Sequence, residues 1–256
     1  MPEVNKLFTI LQKGSKYQVI LFPYAGGTIN SFKQIQRYLK LLPSETQVIQ
    51  LNYPGHDVNQ DSLIQNVKEF ENYFDDMLKG LLKIPTWFLG YSLGGQLAFR
   101  FFLKYKRNFE NLKGLFICAT PAPSYIRISS NLQRENWDNT ILSPIINNQD
   151  YFQSSHEIYQ IQEEWLSYFS PIFESDIKLF QDCKISNCTL QNKLPTVNIL
   201  YGNKDSSVTV DGLIAWCNYF YITNFYSLEG GHLFIDEEGN AQRVIKIIGE
   251  TMNNLY

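Results

Sequence analysis

Short uncharged runs alternate with longer amphipathic stretches along this chain. Residues 19–22 (Val-Ile-Leu-Phe) end at Pro23 and the pair Gly26-Gly27. Residues 48–51 are closed by Pro54-Gly55, 86–89 by Gly90 and 115–118 by Pro121. Two later runs, 197–201 and 224–228, stop at Gly202 and at Gly230-Gly231. Mostly apolar runs bounded by turn formers are the pattern of strands buried on both faces of a parallel sheet. Helical spacing fills the intervals, at residues 31–42, 63–82, 95–105, 209–220 and 238–253. Within the second of these, Leu63, Val67, Phe70, Phe74, Met77 and Leu78 recur on one face. Strand followed by helix, repeated, predicts an α/β fold with a mostly parallel, doubly wound sheet and right-handed crossovers.

Residues 121–194 break the alternation. They carry no strand run and are rich in Asn, Gln, Ser, Tyr and Phe. Within them, residues 155–169 place Ile158, Ile161, Trp165 and Phe169 near one helical face. So long an interval is too large for a loop. The expectation is one domain over residues 1–256, with 121–194 forming a helical lid inserted between two core strands.

Composition narrows the function classes. The chain has 256 residues, 22 basic and 25 acidic, for a net charge of −3. There is no basic excess to bind nucleic acid. The longest uncharged stretch, 84–99, contains Pro85 and three glycines and falls short of the ~18 residues of a membrane span. Cys118, Cys183, Cys188 and Cys217 form no CxxC pair and have no histidines at metal spacing, so neither a metal site nor a disulfide framework is expected. Glu3, Lys6 and Lys13 surround only a short apolar patch, unlike a secretion signal. A cytoplasmic, monomeric protein is expected, with no resident cofactor.

The chemistry centres on Gly90-Tyr91-Ser92-Leu93-Gly94, a GxSxG placed after a strand run and opening a helix. That context defines a nucleophile elbow, the strained turn that exposes a serine at the top of an α/β-hydrolase sheet. A serine hydroxyl needs a base, and the chain has three histidines: His56, His156 and His232. His232 follows the last strand run, as the chain order Ser, Asp, His of this fold requires. His156 falls in the insertion and His56 in an early loop, both out of that order. Asp205, just past the fifth run and between Ser92 and His232, is the candidate to orient the base. Asp211 and Asp236 are its rivals, one placed inside a helix and the other in the loop after His232. The backbone N–H groups of Leu93 and Ala25 are the candidate oxyanion donors, Tyr24 being the alternative to Ala25. Tyr24, Gly26 and Tyr91 are candidate substrate-contacting residues.

Five segments carry a resemblance: Phe22-Pro-Tyr-Ala-Gly-Gly27, Tyr53-Pro-Gly55, Gly90-Tyr-Ser-Leu-Gly-Gly95, Gly202-Asn-Lys-Asp205 and Gly230-Gly-His-Leu-Phe234. Their order and spacing are similar to those of type II thioesterases, the stand-alone editing enzymes of nonribosomal peptide and polyketide synthesis. The resemblance spans almost the whole chain. It implies a hydrolase that cleaves acyl groups from the phosphopantetheine arm of an acyl or peptidyl carrier protein. Family members typically carry His where this chain has Tyr24, and often Arg where it has His56. The segment 168–176 is similar to the end of the family's lid, with its usual arginine replaced. A small-molecule esterase on the same fold, an acyltransferase and a non-catalytic binding module are the competing expectations.

Overall fold

All six apolar runs become strands in the computed structural model, which describes residues 2–126, 158–185 and 193–254. These are β3 (Tyr17–Phe22), β4 (Thr46–Leu51), β5 (Thr86–Tyr91), β6 (Leu112–Cys118), β7 (Leu194–Gly202) and β8 (Phe220–Leu228). Two more strands, β1 (Glu3–Val4) and β2 (Phe8–Gln12), precede them. The sheet order is β1-β2-β4-β3-β5-β6-β7-β8. The strands from β3 onward pair in parallel, and β1 and β2 add an antiparallel margin against β4. That margin escapes a search for buried runs, because β2 buries only Thr9 fully.

The helices are α1 (Lys33–Gln36), α2 (Val67–Leu81), α3 (Leu93–Tyr105), α4 (Ile158–Asp182), α5 (Val210–Ile214) and α6 (Glu238–Asn253). Alternate side chains of each central strand serve opposite layers, as the period of two demands. Ile20, Phe22, Phe88, Leu115, Ile117 and Ile199 pack with α2 and α3. Val19, Leu21, Trp87, Leu89, Phe116 and Leu200 pack with α1 and α6. Helix α2 starts where Asn66 accepts a hydrogen bond from the Glu69 N–H, and it buries Val67, Phe70, Phe74 and Leu78.

The helix predicted over 63–82 starts only at Val67, and two other predicted helices break into shorter pieces. Residues 31–42 yield only α1 and a 3₁₀ turn at Leu39–Leu41, because Phe32 offers no side-chain cap and Pro43 follows. Residues 209–220 split into α5 and a 3₁₀ turn at Ala215–Asn218, and Phe220 already belongs to β8. There Trp216 turns into the core and its indole N–H donates to the Thr120 carbonyl at 3.1 Å.

Between β6 and β7, the 25-residue helix α4 runs well past the predicted 155–169. It contains Pro171, which has no N–H to return to the preceding turn. From Ser170 onward its buried face (Ser170, Ile172, Phe173, Ser175, Asp176, Leu179) meets the body of the protein. The rest of the expected lid, residues 127–157 and 186–192, lies outside the described residues, and His156 and Cys188 with it. No described helix is long and apolar enough to cross a membrane.

Candidate active site

The strand order fixes where the site must be. From β3 the chain moves to β4 on one side, then returns to β5 on the other side of β3. The crevice beyond the carboxyl ends of such strands is where an open α/β sheet binds ligands. The loop after β3 carries Tyr24, Ala25 and Gly26, and the turn after β5 carries Ser92.

Ser92 sits at φ 52°, ψ −115°, outside the ordinary regions for a residue with a side chain. The strained turn is held by the Ser92 N–H donating to the Cys118 carbonyl at 2.8 Å and by packing too tight for larger residues. A Cβ on Gly94 would lie 2.0 Å from the Phe22 carbonyl oxygen and 2.4 Å from that of Pro23. The glycines of the motif therefore record a close approach between the start of α3 and the loop after β3.

The structure brings together the three residues that chain order selects. Ser92 Oγ is 3.0 Å from His232 Nε2, and His232 Nδ1 is 2.8 Å from Asp205 Oδ2. Asp205 has a side chain only 1% exposed, whereas that of His232 is 34% exposed. Burial pushes the Asp205 carboxyl pKa up, but the His232 hydrogen bond and charge and the Ser207 and Val208 N–H groups outweigh it. The net position is below the ordinary range, so Asp205 is an anion at neutral pH. An anion at Nδ1 keeps the proton there and leaves Nε2 free to accept from Ser92. Asp205 and His232 come from separate loops, and Gly202 lets those loops touch: a Cβ there would lie 2.3 Å from the Gly231 carbonyl oxygen. Asn240 of α6 ties the second loop down by donating to the Glu229 and Phe234 carbonyls.

The other candidates separate. Asp211 lies exposed in α5 and Asp236 in the 3₁₀ turn after His232, so the rivals of Asp205 are elsewhere. Leu93 opens α3, where first-turn amides lack helical partners. Tyr24 is half-buried, its ring edge-on to Tyr91 at 5.9 Å. Tyr91 corrects an expectation: it is 0% exposed and cannot line a substrate surface. The alternation along β5 points it away from the cleft, and its hydroxyl donates to the His232 carbonyl at 2.5 Å, so it supports the base from behind. Gly26 also differs from the expectation, because its N–H donates to Asp176 Oδ2 at 2.6 Å. Sequence reasoning missed Asp176 altogether, as it missed that His56 pairs with it at 2.9 Å. His56 directly follows the segment 53–55 and Asp176 ends the lid-like segment 168–176, but nothing local signals a contact across 120 positions.

Comparison with known proteins adds the family. The thioesterase domain model matches residues 17–252. The antimetabolite synthetase AmbE of Pseudomonas aeruginosa is 30% identical over 114 residues, 42% of this chain. That match covers 5% of AmbE, so this chain spans a small fraction of that relative. The probable anguibactin biosynthesis thioesterase AngT of Vibrio anguillarum is 24% identical over 231 residues, 86% of each chain. The structure of YbtT, a type II thioesterase from the yersiniabactin NRPS/PKS pathway, superposes with a TM-score of 0.74 at 20% identity, covering 97% of this chain and 98% of YbtT. The fold is that of the α/β-hydrolases. Because the family match runs from the start of β3 into the last turn of α6, this chain belongs to the thioesterase domain family.

Proposed function

We propose that this protein hydrolyses acyl thioesters held on the phosphopantetheine arm of an acyl or peptidyl carrier protein, clearing aberrant acyl groups from a nonribosomal peptide or polyketide synthase. The observation that carries the reading is the hydrogen-bonded line from Ser92 through His232 to Asp205, in a chain matched almost end to end by the thioesterase domain. AngT and YbtT, both matched over most of their length, are described as biosynthetic thioesterases, which supports the same assignment. The free thiols of Cys118, Cys183 and Cys217 fit a reducing cytoplasm.

The mechanism follows from the geometry. His232 Nε2 removes the Ser92 proton as Oγ attacks the thioester carbonyl. The amides of Leu93 and Ala25 hold the oxyanion. Asp205 stabilises the imidazolium, which then protonates the departing thiol. Water, deprotonated in turn by His232, cleaves the acyl-serine and releases the acid. Tyr24, half-buried in the same loop as Ala25, borders the acyl path in this reading.

A panel of acyl-phosphopantetheine carrier proteins, compared with simple p-nitrophenyl esters, tests the reading. Faster release from carriers than from esters is expected. Equal or faster ester turnover, with no gain from the carrier, would point to a small-molecule esterase instead.

A further inference from the structure

A second histidine–aspartate pair lies beside the loop after β3. His56, in the turn after β4, is 4% exposed, and Asp176 of α4 is 2% exposed. The turn is closed by the Asn59 N–H donating to the His56 carbonyl at 2.8 Å. His56 Nε2 is 2.9 Å from Asp176 Oδ2, and Nδ1 is 2.9 Å from the Pro54 carbonyl oxygen. A carbonyl only accepts, so Nδ1 carries a proton. As a carboxylate, Asp176 is acceptor-only, toward the Gly26 N–H at 2.6 Å and toward Nε2 alike. Both contacts are satisfied together only by an imidazolium.

What the pair holds is the loop that presents Ala25. Gly26 adopts φ +72°, and its N–H is fixed by Asp176. The Phe173 ring of α4 closes over it, near enough that a Cβ on Gly26 would lie 3.3 Å away. Helix α4 has other anchors at this end: Ser175 Oγ donates to the Ile64 carbonyl at 3.0 Å, and Asp182 accepts from the Val67 N–H at 2.8 Å. Losing the pair therefore frees the loop without freeing the helix.

We propose that His56 and Asp176 are positioning residues of the hydrolytic reaction, clasping the oxyanion loop through the Gly26 amide, and that loss of one proton from His56 opens the clasp. The proposal rests on the assignment of Ala25 as an oxyanion donor. An arginine at this place would hold Asp176 with a permanent charge. Histidine makes the hold titratable.

Among the described residues, the groups facing His56 are Asp176 from α4, Asp57 from its own turn, and Tyr53, whose ring stands edge-on at 5.8 Å. Burial disfavours the imidazolium, but the charge and hydrogen bond of Asp176, the Pro54 carbonyl and Asp57 together outweigh it. The result is a pKa above the ordinary 6.5. Burial keeps the Tyr53 phenol far above its usual range, and the buried Cys183 thiol near Tyr53 is likewise raised, so both stay neutral. With a raised folded-state value, the clasp is complete below the unfolded pKa and is lost as pH rises through the folded one. Deprotonation would turn the Nε2 lone pair toward a carboxylate.

Two measurements test this. The first follows the three imidazoles by NMR against pH, using His56→Gln to assign the His56 signal. The second measures kcat and KM against pH on an acyl-pantetheine thioester for the wild type, His56→Arg and Asp176→Asn, with thermal unfolding in parallel. His56 is expected to titrate above 6.5, and the wild-type kcat to fall at alkaline pH with the same midpoint. His56→Arg should move that fall upward by about one pH unit or more. Asp176→Asn should lower kcat about tenfold or more with KM changed less than about threefold, because a displaced donor is missed chiefly in the transition state. Titration of His56 below 6.5, an unmoved alkaline limb in His56→Arg, or an Asp176→Asn effect confined to melting temperature would overturn the proposal. The NMR titration needs no substrate, so a wild type inactive on every thioester would refute the thioesterase assignment while leaving the clasp measurable.

Discussion

The two histidine–aspartate pairs are nearly the same length, 2.8 Å for His232–Asp205 and 2.9 Å for His56–Asp176. Their surroundings differ at the second ring nitrogen. His232 turns Nε2 toward the Ser92 hydroxyl, which donates, so the neutral ring satisfies both contacts and can take a proton. His56 turns Nδ1 toward a carbonyl, which cannot donate, so only the charged ring satisfies both. Exposure follows the same division: the His232 side chain is 34% exposed and that of His56 is 5%. One geometry therefore yields a base in one place and a clasp in the other, and the partner of the remaining nitrogen decides which.

Substitutions at the two pairs should separate these roles, beginning with the reacting pair. Ser92→Ala should cost on the order of 10³-fold or more in kcat, read as acid released from an acyl carrier. Asp205→Asn should cost about 10²- to 10⁴-fold with the fold intact, because an amide at that position no longer fixes the proton on Nδ1. The holding pair should respond more gently, as Asp176→Asn is expected to do. Smaller again is Tyr91→Phe, which removes the hydroxyl behind His232. It should lower stability by about 1 kcal/mol and kcat by a few-fold, measured by thermal unfolding and steady-state kinetics. Asn66→Ala, which bonds to neither pair, should cost about 1 kcal/mol of stability through the lost cap of α2 and leave kcat alone. An equal kcat loss at Asp176 and Asp205 would erase the distinction between the pairs.

The reacting pair was legible in the sequence because its constraints are local. Gly90, Gly94 and Gly202 mark places where backbones touch, and such glycines stand next to the residues they serve. Strand runs bounded by Pro and Gly place Ser92, Asp205 and His232 at strand ends from the sequence alone. The holding pair was illegible for the converse reason. His56 and Asp176 are joined only by the way α4 docks, and α4 lies in the stretch where the strand–helix rhythm fails. Tyr91 was misread because proximity to Ser92 in sequence places it on the opposite face of β5. The antiparallel strands β1 and β2 escape the pattern because an exposed or half-buried marginal strand lacks the apolar run of a central one.

The central claim is that an acyl group leaves its thioester by way of Ser92. Rapid mixing of the enzyme with an acyl carrier protein, followed by acid quench and mass spectrometry of the peptide bearing Ser92, reads that step directly. The expected result is a transient mass increase equal to the acyl group on that peptide, absent in Ser92→Ala, whose carrier stays acylated. Deacylation of the carrier by Ser92→Ala at the wild-type rate, with no acyl group ever found on the wild-type serine, would contradict the account.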